Sequence, residues 1–202
     1  MKKIIIILFS VSMLLVVTSC NPSGSTTPVN TIRAAKLTPE QQDILDLFSN
    51  NQEFMIFDYN TDEPFSRFEV WVEVYENGEL VDRPAELITV RDSGETRNGR
   101  LAISISQNDN TYGWMLSMLE NGGKASHIGM METAVGSGLG RAFGPMIDPA
   151  SIEDGKEIII YSSIFHTFNT PQYVYGEQTL QERPELLLDY PYVHLIKAIF
   201  TK

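Results

Sequence analysis

Residues 67–78 read RFEVWVEVYENG and are the stretch that decides the fold. Apolar side chains at even positions alternate with charged or aromatic side chains at odd positions, which is the period of a strand with one buried face. The apolar set is Phe68, Val70, Val72 and Val74. Asn77-Gly78 follows at once, and this dipeptide favours a hairpin turn because both residues tolerate positive φ. The stretch therefore predicts a half-buried strand in an antiparallel sheet.

The same signals recur along the chain and predict five more strands. These strands are expected at Leu87–Arg91, at Leu101–Ser106 after a turn at Asn98-Gly99, at Trp114–Leu119 before Asn121-Gly122-Gly123, at Glu157–Phe165, and at Tyr192–Phe200. In the last strand, Tyr192, His194, Ile196, Ala198 and Phe200 share one side. Short strands separated by Asn and Gly turns predict a mostly β fold, either an antiparallel β-sandwich or a partly open barrel.

One N-terminal helix is predicted over Pro39–Phe48. Thr38 can cap it, Pro39 suits the first helical position, and Gln41 has the spacing of a capping box. Ile44, Leu45 and Phe48 fall on one face, so we expect a helix that packs on the sheet, ended by Asn50-Asn51. A further helical turn is predicted at Pro184–Leu188.

The first twenty residues have the pattern of an export signal. Lys2 and Lys3 precede an apolar run from Ile4 to Val17, which is short for a membrane span. Val17-Thr18-Ser19-Cys20 resembles the lipobox of bacterial lipoproteins, and Cys20 is the single cysteine of the chain. The resemblance implies cleavage before Cys20 and a lipid on its sulfur, which also accounts for an odd cysteine in an exported protein.

This interpretation divides the chain into three parts. Residues 1–19 are the expected signal peptide, residues 20–36 the lipidated cysteine with a flexible tether rich in Ser, Thr, Pro and Asn, and residues 37–202 a single domain. The mature protein is expected at the cell membrane, lipid-anchored on the extracytoplasmic face. Its lysine-rich start and polar tether look more like a Gram-positive envelope than a Gram-negative one.

The charge balance bears on the choice of partner. Cleavage removes two of the 15 basic residues and none of the 26 acidic ones, so the formal net charge moves from −11 to −13. Nucleic acids and anionic lipid surfaces are polyanions that need a basic footprint. The composition therefore argues against nucleic-acid binding, and leaves a protein, peptide or glycan of the envelope as the expected ligand.

No familiar catalytic motif stands out. Residues 136–138 read GSG without the spacing of a nucleophile elbow. The three histidines, His127, His166 and His194, are too far apart in sequence for a typical zinc motif. The Gly-rich run from Gly136 to Gly144 predicts a mobile loop over one end of the sandwich, where it could gate a site.

One stretch has the spacing of a calcium loop. Asp58, Asn60 and Asp62 alternate as in D-x-N-x-D, and Glu69 stands at the twelfth position. Calcium favours such converging oxygen ligands, so these four residues are a candidate metal site. Glu63 occupies the position where the loop needs glycine, which leaves a solvated turn as the alternative.

Three functions remain open on the sequence. The first is a non-catalytic binding or structural module at the cell envelope, for which Trp71 and Tyr75 are candidate contact residues or, alternatively, buried side chains. The second is an extracytoplasmic hydrolase using carboxylates such as Glu132, Asp148 or Asp154. The third is a module that depends on calcium.

Overall fold

A computed structural model describes residues 28–49, 52–91, 96–108, 111–132, 135, 138–167 and 177–202. The described strands form two six-stranded antiparallel sheets that pack face to face, so the predicted mostly β sandwich is confirmed. The alternating pattern of each strand explains this architecture, because one row of side chains from each sheet enters a shared core.

The first sheet follows the order β10-β1-β2-β6-β7-β8. Its strands are β1 (Thr31–Ala34), β2 (Gln52–Pro64), β6 (Thr96–Asn108), β7 (Thr111–Glu120), β8 (Gly123–Glu132) and β10 (Ala150–Ser151). The prediction missed β1, β2, β8 and β10. β1 lies inside the stretch predicted as tether, so residues as early as Thr31 already belong to the first sheet.

The second sheet follows the order β4-β3-β12-β11-β9, with β5 also paired to β3. Its strands are β3 (Arg67–Glu76), β4 (Glu79–Asp82), β5 (Glu86–Val90), β9 (Gly140–Pro145), β11 (Ile158–His166) and β12 (Tyr192–Thr201). The predicted strands at β3, β5, β11 and β12 are confirmed. β9 corrects the interpretation of the Gly-rich run, because its second half is a strand paired to β11.

The core joins the two sheets through aromatic rings. Tyr59 of β2 lies against Phe68 of β3 and Phe200 of β12, with ring centroids 4.9 and 5.6 Å away. Phe68 and Phe200 are themselves stacked at 4.2 Å. Since all three side chains are buried, this contact sets which face of each strand points inward.

Two of the three predicted Asn-Gly turns are present. Asn77-Gly78 and Asn121-Gly122 both have positive φ and join β3 to β4 and β7 to β8. The third prediction was wrong, because Asn98 and Gly99 lie inside β6 and pair with β2. Gly99 serves close packing there: a Cβ at this position would come within 2.4 Å of the Tyr59 hydroxyl oxygen.

A buried ion pair lies between the sheets near these rings. Arg97 is fully buried and donates from Nε and Nη2 to the two carboxylate oxygens of Glu120, each at 3.0 Å. Arg91 also contacts Glu120, at 3.1 Å, and Thr89 accepts a further bond from Arg97 at 2.8 Å. The bidentate geometry and the extra acceptor satisfy a cation that would be costly to bury alone.

The N-terminal helix α1 (Pro39–Phe48) has the predicted bounds and capping box. The Gln41 amide donates to Thr38 Oγ1, and the Gln41 side chain accepts from the Thr38 amide. Its predicted packing role was wrong, since no residue of α1 is buried, and Phe48 is 66% exposed. The helix ends at Phe48 with Ser49 as its cap, and residues 50 and 51 lie outside the described part.

Two C-terminal helical segments cover the second sheet instead. The helix α2 (Glu177–Glu182) and a 3-10 helix (Pro184–Asp189) pack on its outer face, and the 3-10 helix confirms the predicted turn. Leu180 of α2 belongs to a second buried cluster with apolar residues of β11 and β12. α2 was missed because Leu180 is its single apolar residue.

The different environments of two phenylalanines give a test of the fold. We expect Phe200→Ala to lower the free energy of unfolding by about 3–5 kcal/mol, since it leaves a cavity between the sheets. Phe48→Ala should change it by less than about 0.5 kcal/mol, because that ring lies mostly in water. Urea unfolding of both variants measures the difference, and equal losses would contradict the exposed placement of α1.

Candidate binding groove

A groove of about 500 Å³ lies between the β9–β10 connection, the start of β11 and α2. Its volume is within the range of small-ligand and peptide sites. Buried Met146, Ile158 and Ile159 line it, and Ile147 at its border is 90% exposed. The groove thus has a mixed lining, in which polar side chains such as Gln178 and Thr179 lie with the edges of buried apolar ones, and Ile147 projects into water at its border.

Within the described part of the chain, the main chain of β11 has an edge without a strand partner at this groove. β9 pairs with β11 only from His166 to Tyr161, and the Met146 amide then donates to Ile160 O at 2.9 Å. Beyond that point, the Ile159 amide donates to Gln181 Oε1 at 3.3 Å, and Gln181 Nε2 donates to the carbonyl of Glu157. A side-chain amide from α2 therefore occupies the groups that another strand would use.

The border of the groove is acidic. Among the described residues that line it, the charged ones are Asp148, Glu153, Glu182 and Lys156. Lys156 donates to Glu153 at 2.6 Å, an exposed pair three residues apart. Three carboxylates against one ammonium leave an excess of negative charge at the border of the groove, which favours cationic ligands.

A second polar cluster links the two sheets around Arg141 of β9. Arg141 forms an ion pair with Glu53 of β2, and it donates to the Tyr161 hydroxyl at 2.9 Å and to Ser163 Oγ at 2.6 Å. The Tyr161 hydroxyl donates in turn to Glu53 at 2.8 Å. Burial raises the pKa of Tyr161, which keeps this hydroxyl protonated and able to donate.

His194 of β12 lies next to this cluster and is buried. Its ring contacts the rings of Tyr112, Trp114 and Phe165 at centroid distances of 4.9, 5.4 and 5.1 Å. Neither ring nitrogen has a hydrogen-bond partner among the described residues. Burial lowers the pKa of His194 to about 3, and the positive charge of Arg141 acts in the same direction. His194 is therefore neutral at physiological pH.

Comparison with known proteins identifies the domain. The family model of the YgaN domain matches residues 31–200. The chain belongs to the YgaN domain family. No curated protein and no solved structure matches it. The match begins with β1 and ends within β12, so the YgaN domain coincides with the sandwich.

The candidate calcium residues are placed apart in the YgaN domain. Asp58, Asn60 and Asp62 lie on β2 of the first sheet, where extended backbone separates alternate side chains, and Glu69 lies on β3 of the second sheet. Asp58 pairs with Arg100 at 2.8 Å.

The other two carboxylates of this set also have protein partners. Asp62 accepts from Asn30 at 2.5 Å, and Glu69 pairs with Arg67 at 2.5 Å. No described group of three or more His, Cys, Asp or Glu is arranged to hold a metal ion. The calcium site stays a prediction, without a converged ligand set among the described residues.

Trp71 and Tyr75 surround a buried carboxylate on the outer face of the second sheet. Trp71 Nε1 and the Tyr75 hydroxyl donate to Glu73 at 2.9 and 2.6 Å, and Lys197 and Arg83 contact it at 2.8 and 2.6 Å. Burial favours a higher pKa for Glu73, but the bonds from Lys197, Tyr75 and Trp71 outweigh it and lower the pKa. Trp71 is buried, so it offers little surface to a partner.

Exposed apolar side chains lie instead on the outer face of the first sheet. This set consists of Met115 and Leu119 of β7 with Ile128 and Met130 of β8. Met115 and Ile128 are directly paired neighbours. The even positions of β7 point into the core, so its odd positions must face outward.

The carboxylates considered for a hydrolase occupy separate parts of the fold. Glu132 ends β8, Asp148 lines the groove, and Asp154 accepts from the Lys202 amide at 3.0 Å. The sequence interpretation therefore found one groove residue, Asp148, but it missed Gln181. A glutamine in a short helix has no sequence signal for a role at a strand edge.

The predicted signal peptide and lipidation site concern residues that the structure does not describe. Cys20 lies in this part of the chain. Within the described ranges, no helix has the length and apolar character needed to cross a membrane.

The buried neutral His194 predicts a pH dependence of stability. An unfolded histidine has a pKa near 6.5, so below about pH 6.5 the unfolded chain binds a proton that the folded one does not. Stability should fall from there toward pH 3, with His194 contributing a slope of at most about 1.4 kcal/mol per pH unit. We expect His194→Phe to remove this contribution, as measured by urea unfolding at a series of pH values.

His127→Phe is the matched control, because His127 is exposed on β8. This variant should keep the wild-type slope. If His194→Phe kept the full wild-type slope between about pH 5 and 6.5, above the range in which carboxyl groups titrate, His194 would not be held neutral in the core.

Proposed function

We propose that this YgaN domain protein is a lipid-anchored, non-catalytic binding module on the extracytoplasmic face of the cell membrane, and that the groove beside β11 is its binding site. The observation that carries the proposal is the groove itself. It joins a mixed polar and apolar lining to main-chain groups of Ile159 and Glu157, whose partner among the described residues is the Gln181 side chain. Such groups can recognise a ligand through both main chain and side chains.

The position at which the chain enters the domain supports this proposal. Thr31 pairs with Ser151, and the Ile152 amide donates to Asn30 O at 2.8 Å. Because Ala150 and Ser151 line the groove, the N-terminal segment enters beside it. Pro28 is eight residues after Cys20, a separation that even a fully extended chain spans in about 30 Å. A lipid on Cys20 would therefore keep the groove near the membrane surface.

The charge supports a partner that is not a polyanion. A mature chain with a formal net charge of −13 would be repelled by nucleic acid and by anionic lipid headgroups. The border of the groove, like the whole chain, has a net negative charge. The expected ligand is therefore a neutral or basic component of the envelope.

The anchoring is tested by Cys20→Ala in the native host. We expect the wild-type protein to fractionate with membranes and to have an intact mass of residues 20–202 plus acyl chains, since two or more acyl chains give stable anchoring. Cys20→Ala should lose both the acyl mass and the membrane association. Ser25→Ala, a nearby change in the tether, should behave as wild type. An unacylated wild-type protein would overturn the anchoring.

A further inference from the structure

We propose that the groove binds an extended peptide segment in which basic and apolar residues alternate, and that this segment adds to β11 as a strand by displacing the Gln181 side chain. This assignment rests on the proposed function of the groove as the binding site. It names the class of ligand and the residue that controls access.

The main-chain geometry supports strand addition. β12 borders β11 along its length, whereas β9 stops at Met146 on the other side. The Ile159 amide and the Glu157 carbonyl are two residues apart, so in extended backbone both point toward the same neighbour. A peptide strand paired along this edge would accept a hydrogen bond from the Ile159 amide and donate one to the Glu157 carbonyl.

Gln181 matches the chemistry of such a strand. Its side-chain amide has one carbonyl acceptor and an N–H donor, as a peptide group has. The carbonyl accepts from the Ile159 amide, and the N–H donates to the Glu157 carbonyl. A peptide that replaces it would restore both hydrogen bonds, so the exchange leaves no buried group unsatisfied. Gln181 therefore closes an edge that would otherwise be open to any extended chain.

Leu180 keeps α2 packed on the sheet when the Gln181 side chain is displaced. Leu180 is buried among residues of β11, β12 and the 3-10 helix, and it holds α2 on the sheet. Gln181 is the next residue and is exposed. Its side chain can rotate into water while the helix keeps its apolar contact.

The lining of the groove selects the side chains of the peptide. An extended peptide presents successive side chains to opposite sides. Ile147 and Pro149 are exposed and offer apolar contacts, whereas Asp148 and Glu182 at the border attract cations. A segment that alternates valine with lysine would satisfy both sets, while a segment with glutamate in place of lysine would be repelled.

The test uses the full-length protein extracted from membranes in detergent. The probe is a fluorescent nine-residue peptide that alternates lysine and valine, and binding is followed by fluorescence polarisation. Two control peptides have the same length. One replaces each lysine with glutamate, and the other has N-methyl groups on the main chain, which remove donors needed for strand pairing.

The Gln181 variants separate displacement from direct contact. We expect Gln181→Ala to bind the lysine–valine peptide about three- to tenfold more tightly than wild type, because no side chain has to leave the edge. Gln181→Ser, whose short neutral side chain does not replace the amide, should also bind more tightly and serves if the alanine variant does not fold. Weaker binding by both variants would overturn displacement, since Gln181 would then contact the ligand.

The charge variants test the acidic border. Glu182→Gln and Asp148→Asn should each weaken binding about two- to fivefold and reduce its dependence on salt. Asp43→Asn on the exposed helix α1 removes the same charge outside the groove and should have no effect. If all three variants weakened binding equally, the peptide would be attracted by the overall negative charge of the protein. This result would overturn the groove as the binding site.

The remaining outcomes also decide the proposal. Equal affinity for the N-methylated peptide would overturn strand addition. A groove occupied by a second copy of the chain would appear as a dimer that the peptide does not dissociate, and this would overturn the peptide as its ligand. Failure of the peptide to bind an acylated, membrane-bound protein would overturn this inference alone. Binding by an unacylated protein would keep the inference and overturn the anchoring.

Discussion

The rest of the structure depends on the contact between the two sheets through Tyr59, Phe68 and Phe200. These rings come from β2 and β3, which follow each other in the chain but lie in different sheets, and from β12 at the far end of the domain. They meet in the core between the sheets. A shift of one residue in any of these strands would turn its ring toward solvent. The contact therefore fixes the register of both sheets, and burial of such large side chains supplies much of the stabilisation.

Buried polar groups make the packing of the sheets specific rather than merely apolar. Arg97 and Glu120 are buried, Arg141 and Glu53 are partly buried, and both pairs have their hydrogen bonds largely satisfied inside the protein. Desolvation offsets much of the attraction in such pairs, so their net contribution to stability is small. Loss of one partner, however, leaves a buried charge. A wrong arrangement of the two sheets would also leave a buried charge without its partner, so such arrangements are disfavoured.

The groove is a consequence of how the second sheet ends. β9 is shorter than β11, so the main chain near Ile159 is left at an open edge, and α2 supplies Gln181 to cover it. A side chain is a reversible cover, unlike a paired strand. The same geometry that protects the edge from aggregation thus leaves it available to a ligand that competes for two hydrogen bonds. A ligand would then enter the groove by replacing the Gln181 side chain, without unfolding of α2.

The sequence by itself determined the elements whose signals are local. The alternation in β3, the Asn77-Gly78 turn and the capping box of α1 depend on neighbouring residues, so the β-sandwich and one helix could be predicted. Only the tertiary structure decided that Gly99 lies inside a strand, that α1 buries none of its residues, and that Gln181 meets the edge of β11. These features depend on contacts between residues far apart in the chain, and no local pattern encodes such contacts.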